Sequence, residues 1–190
     1  MTDTAPELLV YAGPNGSGKS TVTKAFPVVG EYINADDIKK CEKCDDLQAA
    51  KIATALRENF LNKRMDFTFE TVLSTDRNVD LLKRAKQFGY KIFVVFVLTC
   101  DVEINIARVQ ERVKNGGHGV PVEKIKSRYY KSLANIKPLL NIADSMKVID
   151  NSGKRASLIL NSENGKLTFN QTEKWTNQKL KMLVDGKIKK

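Results

Sequence analysis

Eight consecutive residues, Gly13-Pro14-Asn15-Gly16-Ser17-Gly18-Lys19-Ser20, spell G-x-x-x-x-G-K-[ST], a pattern in which a glycine-rich turn aims successive backbone N–H groups at phosphate oxygens. The glycines admit the curled backbone, and a helix starting where the loop ends adds the positive end of its dipole. On this chemistry Lys19 reaches the β- and γ-phosphates, Ser20 ligates Mg²⁺, and Thr21 completes the nucleotide-binding set. The bland alternative is a turn that binds nothing. Against it stand the order Lys then Ser after the last glycine and the apolar run Glu7–Ala12 before the first.

A phosphate loop fixes a nucleotide but not a reaction. Asp36 lies just past a second short apolar segment, where a parallel sheet presents the crevice at its carboxyl ends. It can accept a proton from a substrate hydroxyl or hold that hydroxyl in line. The competing role is helix capping by Asp36 or Asp37, with capping expected to fall to the neighbours. Glu70 closes the run Phe67-Thr68-Phe69-Glu70, the place for an acid that orients a magnesium shell, or simply for a charge that ends a strand. Thr71 beside it gives a carboxylate–hydroxyl pair suited to polar recognition of a substrate, and Ser74 is a weaker candidate for the same set.

Arg108 and Arg112 are four residues apart and share one helix face. They stand directly ahead of the loop Asn115-Gly116-Gly117-His118-Gly119-Val120-Pro121, and Arg128 follows on the next helix. The arrangement reads as a lid whose arginines neutralise the charge that develops in phosphoryl transfer and exclude water. A solvated helix face is the alternative for any one of them. His118 is the sole histidine; it leaves no Ser-His-Asp arrangement to consider and reads as a loop or lid contact.

The elements that must hold these residues follow from the apolar pattern. Strands are expected at Glu7–Ala12, Glu31–Asn34, Asp66–Leu73, Lys91–Leu98 and Met146–Asp150. Helices are expected from the loop to Pro27, over Asp36–Phe60 with a break near Cys44–Asp46, over Asn78–Phe88, over Val102–Val113, and from Val122 to about Leu140. The alternation of strand and helix predicts an α/β fold, a parallel sheet of about five strands flanked by helices. After Asn151-Ser152-Gly153 the pattern changes to alternation around Asn164-Gly165, which predicts a β-hairpin over 156–170. A stretch with Trp175, Leu180, Met182 and Leu183 then forms a helix that docks or frays.

The composition sets the frame. With 42% hydrophobic and 28% charged residues and five prolines in 190, the chain reads as an ordinary globular domain, not a disordered, collagen-like or coiled-coil protein. The apolar run Ile92–Leu98 is far short of the ~20 residues that a membrane helix needs. Met1–Pro6 is unlike a signal peptide, and the three cysteines do not make a disulfide framework. These features point to the cytoplasm, with no membrane partner. A metal site at Cys41 and Cys44 would want a second pair or nearby histidines.

The net charge of +10 is uneven: residues 1–80 carry net −3, residues 81–140 net +8, and the last twenty net +4. A basic middle suits nucleic acid or an anionic small molecule equally.

Together, G-P-N-G-S-G-K-S, I-N-A-D-D, F-E-T-V-L-S, R-V-Q-E-R-V-K-N-G-G-H-G-V-P, R-Y-Y-K-S-L-A-N and V-I-D-N-S resemble the compact zeta-toxin-like P-loop kinases. The resemblance covers about residues 7–152. It implies a P-loop NTPase fold over 1–152; residues 153–190, read from their own pattern as a C-terminal hairpin and a helical or flexible basic tail in the same domain or appended to it, lie outside the resemblance. It also implies Asp36 as catalytic base, Lys19 and Ser20 as nucleotide and magnesium contacts, Glu70 as a substrate-side or metal-shell acid, and the lid arginines as transition-state clamps.

The activity that follows is Mg·ATP-dependent transfer of the γ-phosphate to a hydroxyl of a small anionic substrate such as a UDP-amino sugar, with an antitoxin protein as partner. Zeta toxins follow the strand acid with a glycine, a threonine and an arginine; this chain has Thr71-Val72-Leu73-Ser74, with Ser74 at the arginine's position. Two other readings stay open. One is a nucleic-acid or nucleotide hydroxyl kinase, and the other is a nucleotide-gated binding protein. ATP is the default nucleotide, since no N-K-x-D occurs, and the missing L-S-G-G-Q argues against a transporter ATPase.

Overall fold

The computed structural model describes residues 4–188. Met1–Asp3, and Lys189 and Lys190 of the basic tail, lie outside the described residues. Seven strands form one sheet in the order β2-β3-β1-β4-β5-β6-β7. They are β1 (Glu7–Ala12), β2 (Glu31–Ile33), β3 (Phe67–Thr71), β4 (Lys91–Leu98), β5 (Ser145–Asp150), β6 (Ser157–Glu163) and β7 (Lys166–Phe169). The first five run parallel, and the hairpin β6–β7 extends the same sheet antiparallel to β5. The five expected strands and the hairpin are therefore present. The turn at Asn164 and Gly165 has φ of 48° and 81°, the two positive values that a two-residue hairpin turn requires.

The central strands are buried throughout, β1 along nearly its whole length, as the uninterrupted run of β4 predicts for a sheet covered on both faces. The larger core gathers Leu8, Val10, Phe67, Phe69 and Phe96 with the helices of one face; Leu9, Tyr11, Val95, Val97 and Ile149 make a smaller cluster on the other. Trp175, Leu180 and Leu183 are fully buried in the larger core, so the last helix, α8 (Asn177–Val184), is docked.

Helix boundaries depart from expectation in two places. The first helix, α1 (Lys19–Thr23), stops well before Pro27. Thr21, Val22 and Thr23 are β-branched and poor helix formers, and Ala25 N–H and Phe26 N–H turn back to Val22 O and Thr23 O in tight i→i+3 bonds. The helix expected from Val122 to Leu140 divides into α6 (Val122–Ala134) and α7 (Ile136–Ile142), because Pro138 has no N–H with which to continue the ladder to Ala134.

The expected break near Cys44–Asp46 is present. The helix α2 (Ala35–Glu42) ends at Lys43 with φ 50°, and α3 (Asp46–Asn62) starts behind a capping box of Asp45 and Gln48. The remaining helices are α4 (Asp76–Gln87) and α5 (Val102–Lys114). Among the described residues no helix is long and apolar enough to cross a membrane.

Candidate functional site

At the carboxyl edge of the sheet β1 delivers the chain into the glycine-rich loop, and Gly13 N–H donates to Thr71 O at 3.2 Å. Gly13, Gly16 and Gly18 have φ of 141°, 77° and 80°, values that favour glycine. Their surroundings exclude a side chain as well. A Cβ would stand 2.0 Å from Val97 O at Gly13, 2.4 Å from Asn105 O at Gly16 and 2.3 Å from Asn151 Nδ2 at Gly18. Inside the loop the Ser17 hydroxyl is fully buried with no partner among the described residues, behind the surface that lines the cleft.

Lys19 is 8% exposed, and its Nζ donates to Gly13 O at 2.7 Å and Pro14 O at 3.3 Å. Burial pushes the ammonium below its ordinary value, Glu70 and Asp36 pull it back up, and Arg112 pushes it down again. Four charges from four different elements thus act on one another in a single cleft. That cleft has a volume of about 490 Å³ and is walled by the loop and by Asp36, Glu70, Arg108 and Arg112.

The loop is clamped from the far half of the chain. Asn105, fully buried in α5, donates from Nδ2 to Asn15 O at 2.6 Å and accepts from the Thr99 hydroxyl at its Oδ1. Arg108, one turn on, directs Nη1 at Ser17 O at 3.4 Å. Asn151 after β5 donates to Ser17 O at 2.9 Å. Arg128 of α6 reaches Asn15 Oδ1 at 3.4 Å without lining the cleft.

On the opposite wall the capping question has a definite answer. Asn34 is the N-cap of α2, accepting from Asp36 N–H at 2.9 Å. The Asp36 carboxylate, in the first helical turn, lines the cleft and has no hydrogen-bond or ion-pair partner among the described residues. Asp37 is absent from that lining and stands 4.0 Å from Lys40. Glu70 accepts from Tyr32 OH at 3.1 Å, and Asn34 Nδ2 donates to the same phenol oxygen at 3.3 Å. Burial, then the negative charge of Glu70, raises the Tyr32 phenol far above its ordinary value, so at neutral pH it is a fixed donor to Glu70.

Thr71 also lines the cleft; its Oγ1 accepts from Asn78 Nδ2 at 2.6 Å and Leu73 N–H at 3.0 Å. Leu73 holds φ 54°, a strained value for a branched side chain. It is kept there by Asn135 Nδ2 to Leu73 O at 2.9 Å and by Ser132 Oγ to Val72 O at 2.7 Å.

Of the residues singled out from sequence, the cleft brings together Asn15, Gly16, Gly18, Lys19, Ser20, Asp36, Glu70, Thr71, Arg108 and Arg112. Gly13, Pro14 and Ser17 build the loop behind this surface. Ser74 and Thr21 do not line the cleft; Thr21 borders a separate depression near Val22 and Lys154. His118, in the loop after α5, places its Nε2 3.3 Å from Asp46 Oδ2 at the start of α3 and does not line the cleft.

Tyr32, Arg57, Asn78, Asn105 and Asn151 are additional site residues. Asn105 was signalled by an amide within the apolar stripe Val102, Ile106, Val109. Tyr32 depended on the register that pairs it with Thr68, two residues before Glu70.

The donor set fits a nucleotide phosphate group: three glycines at positive φ, the Lys19 ammonium, the Ser20 hydroxyl and a helix start at Lys19. Magnesium carried on phosphates needs only one or two protein ligands, and Ser20 and Glu70 face the same cleft. Among the described residues no group of three His, Cys, Asp or Glu side chains could hold a metal ion, Cys41 and Cys44 included.

A family model described as zeta toxin matches residues 23–164. An uncharacterised protein of Haemophilus influenzae is 32% identical over 128 residues, covering 64% of this chain and 91% of that protein. Among solved structures, the AvrRxo1-ORF1:ORF2 complex with ATP superposes with a TM-score of 0.72 at 11% identity over 98% of this chain, which spans 66% of that one. The same complex with sulphate ions gives 0.71 over the same spans. This chain thus covers just under two thirds of the length of those neighbours. The PezAT toxin–antitoxin system of Streptococcus pneumoniae gives 0.58 at 17% identity, covering 97% of this chain and 84% of that one. These likenesses establish the fold.

Proposed function

The chain belongs to the zeta toxin family, and from that premise we propose that it is a Mg·ATP-dependent kinase moving the γ-phosphate of ATP to a hydroxyl of a small anionic acceptor, with UDP-amino sugars as first candidates. The observation that carries this reading is a free Asp36 carboxylate lining the same cleft as a clamped phosphate loop with its Lys19 and two arginines. A general ATP-binding module has no need of an unpaired carboxylate at that point.

The steps follow from these residues. Main-chain N–H groups of Gly16–Ser20 and the Lys19 ammonium bind the phosphates, releasing Lys19 from the Gly13 and Pro14 carbonyls. Asp36 accepts the proton of the acceptor hydroxyl as its oxygen bonds to the γ-phosphorus and the bond to the ADP oxygen breaks. Arg108 and Arg112 neutralise the charge on the transferring group, and Arg128 holds the loop through Asn15. Ser20 and Glu70 would hold a magnesium ion, which when bound would supply charge neutralisation on the phosphates. Tyr32 fixes the Glu70 carboxylate, and Thr71 offers its hydroxyl to the acceptor.

Residues 1–152 and 153–190 are read as one domain, since β6 pairs with β5 and Trp175 lies in the common core. An antitoxin is the protein partner this reading expects, by analogy with the toxin–antitoxin system of the PezAT structure; a cytoplasmic location goes with it. The test follows γ-labelled ATP and Mg²⁺ with UDP-N-acetylglucosamine, other nucleotide sugars, nucleosides and short RNA and DNA. Label on one small acceptor, lost in Asp36→Asn, supports the reading. Label on nucleic acid favours the polynucleotide kinase alternative, and nucleotide binding with no acceptor favours a nucleotide-gated binding protein.

A further inference from the structure

Arg57 of α3 lines the cleft and is linked through Asn78 to Thr71. Its guanidinium lies over the Phe69 ring with Cζ 5.0 Å from the centroid. Nε donates to Ala53 O at 3.1 Å, Nη2 to Thr54 Oγ1 at 3.1 Å and Nη1 to Asn78 Oδ1 at 3.5 Å. Three of five N–H groups are thus engaged, the last only loosely. Among the described residues no carboxylate stands within ion-pair distance of Arg57, and the adjacent Glu58 is committed to Arg84 through two hydrogen bonds of 3.0 and 2.6 Å. Burial, with the repulsion of Arg77, lowers its pKa, only partly offset by Glu58. A guanidinium in this setting carries a desolvation cost that the Glu58 charge offsets only in part and no ion pair among the described residues offsets directly.

Beside it, Thr71 Oγ1 already accepts two hydrogen bonds, from Asn78 and Leu73. Its own proton is left to donate, and no protein acceptor for it is found among the described residues. Asn78 ties the two groups together, giving Nδ2 to Thr71 and Oδ1 to Arg57. This corner of the cleft therefore offers two spare guanidinium N–H groups and one hydroxyl proton, all donors, around a positive charge. Its chemical complement is an oxyanion.

We propose that Arg57 and the Thr71 hydroxyl, oriented by Asn78, form a subsite that binds a phosphate or carboxylate of the acceptor. The proposal deepens the kinase reading and rests on it for the word acceptor. It makes the acceptor a bipartite molecule, with a hydroxyl facing Asp36 and an oxyanion facing Arg57, and it makes Arg57 the residue that discriminates charged from neutral acceptors.

The test loads the protein with Mg²⁺ and a non-hydrolysable ATP analogue, which fills the phosphate loop. Inorganic phosphate and acetate are then titrated separately at constant ionic strength, with chloride as control. The readout is the ¹⁵N resonance of Arg57 Nε, assigned by its loss in Arg57→Lys. The expected result is a saturable shift with phosphate or with acetate, which names the anion class, and none with chloride. Anion affinity measured by calorimetry should be at least about tenfold weaker in Arg57→Met, a variant that keeps an apolar stem over Phe69, while affinity for the ATP analogue is unchanged. An Nε resonance unmoved by both anions, or equal anion affinity in wild type and Arg57→Met, overturns the subsite. Failure to bind the ATP analogue at all sinks the kinase reading instead, so the two failures are distinct.

Discussion

Asn105 and Asn15 meet across 90 residues of sequence, the buried amide of the first donating to the carbonyl of the second at 2.6 Å. The helix that carries Arg108 and Arg112 is thereby fastened to the glycine-rich loop, so the position of these arginines and the shape of the loop are one property.

Replacing Asn105 with leucine tests that fastening. The Asn15 carbonyl and the Thr99 hydroxyl lose a buried partner, at a cost of about 1–3 kcal/mol. The expected outcome is a lower melting temperature together with weaker ATP binding, read by thermal unfolding and by calorimetry. A variant with reduced stability but wild-type ATP affinity would separate the helix from the loop and refute the coupling.

Gly18→Ala places a Cβ 2.3 Å from Asn151 Nδ2 in a backbone with φ 80°. Two penalties are superposed, a clash and a left-handed strain of about 1–2 kcal/mol. The double variant Gly18→Ala/Asn151→Ala should recover part of the lost nucleotide affinity but not all of it. Complete recovery would mean that the dihedral contributes nothing.

Asp36→Asn should reduce phosphoryl transfer about a hundred- to ten-thousand-fold and leave the dissociation constant for ATP nearly unchanged. Among the described residues the carboxylate has no partner, so the thermal stability of the variant should also be unchanged. Single-turnover kinetics with the identified acceptor checks the first expectation, and equilibrium binding the second.

The β5 strand is held at its start by Asp144, whose carboxylate accepts from Ile92 N–H at 2.8 Å and pairs with Lys86 at 2.6 Å. Burial works against the ionised form, but Lys86 and the Ile92 N–H outweigh it and hold the group below its ordinary 3.8. A depressed folded-state pKa means a contribution to stability that is complete above 3.8 and fades as pH falls through the lower, folded value. Wild type should exceed Asp144→Asn by about 1 kcal/mol at neutral pH, and the difference should shrink in acid below 3.8. A difference constant with pH would refute the assignment.

What the sequence revealed and what it concealed divide along physical lines. The glycine loop was legible because its dihedrals and its chemistry both demand particular residues at fixed spacing. Strand β4 was legible because eight residues run with no charge after the first. Asp36 was legible as a candidate, but its freedom depended on Asn34 taking the cap, which two adjacent Asx-type residues cannot disclose. Arg57 was invisible for a different reason: on α3 it reads as one more helix-surface cation, and only the packing of that helix over Phe69 turns it toward the cleft. The early end of α1 is hidden because a polar stretch reads as helical while the β-branched Thr21, Val22 and Thr23 weaken the helix from within.

The clamps on the loop also set an order of events during synthesis. Ser17 O is held by Asn151, and Asn15 by Asn105 and Arg128, so a ribosome-bound chain that has exposed only the first hundred residues has the phosphate motif but none of its clamps. Contacts of such long sequence separation form late, after the entropy of closing the chain has been overcome. On the kinase reading proposed above, nucleotide binding is then expected to reach full strength only once the chain has been made as far as Asn151.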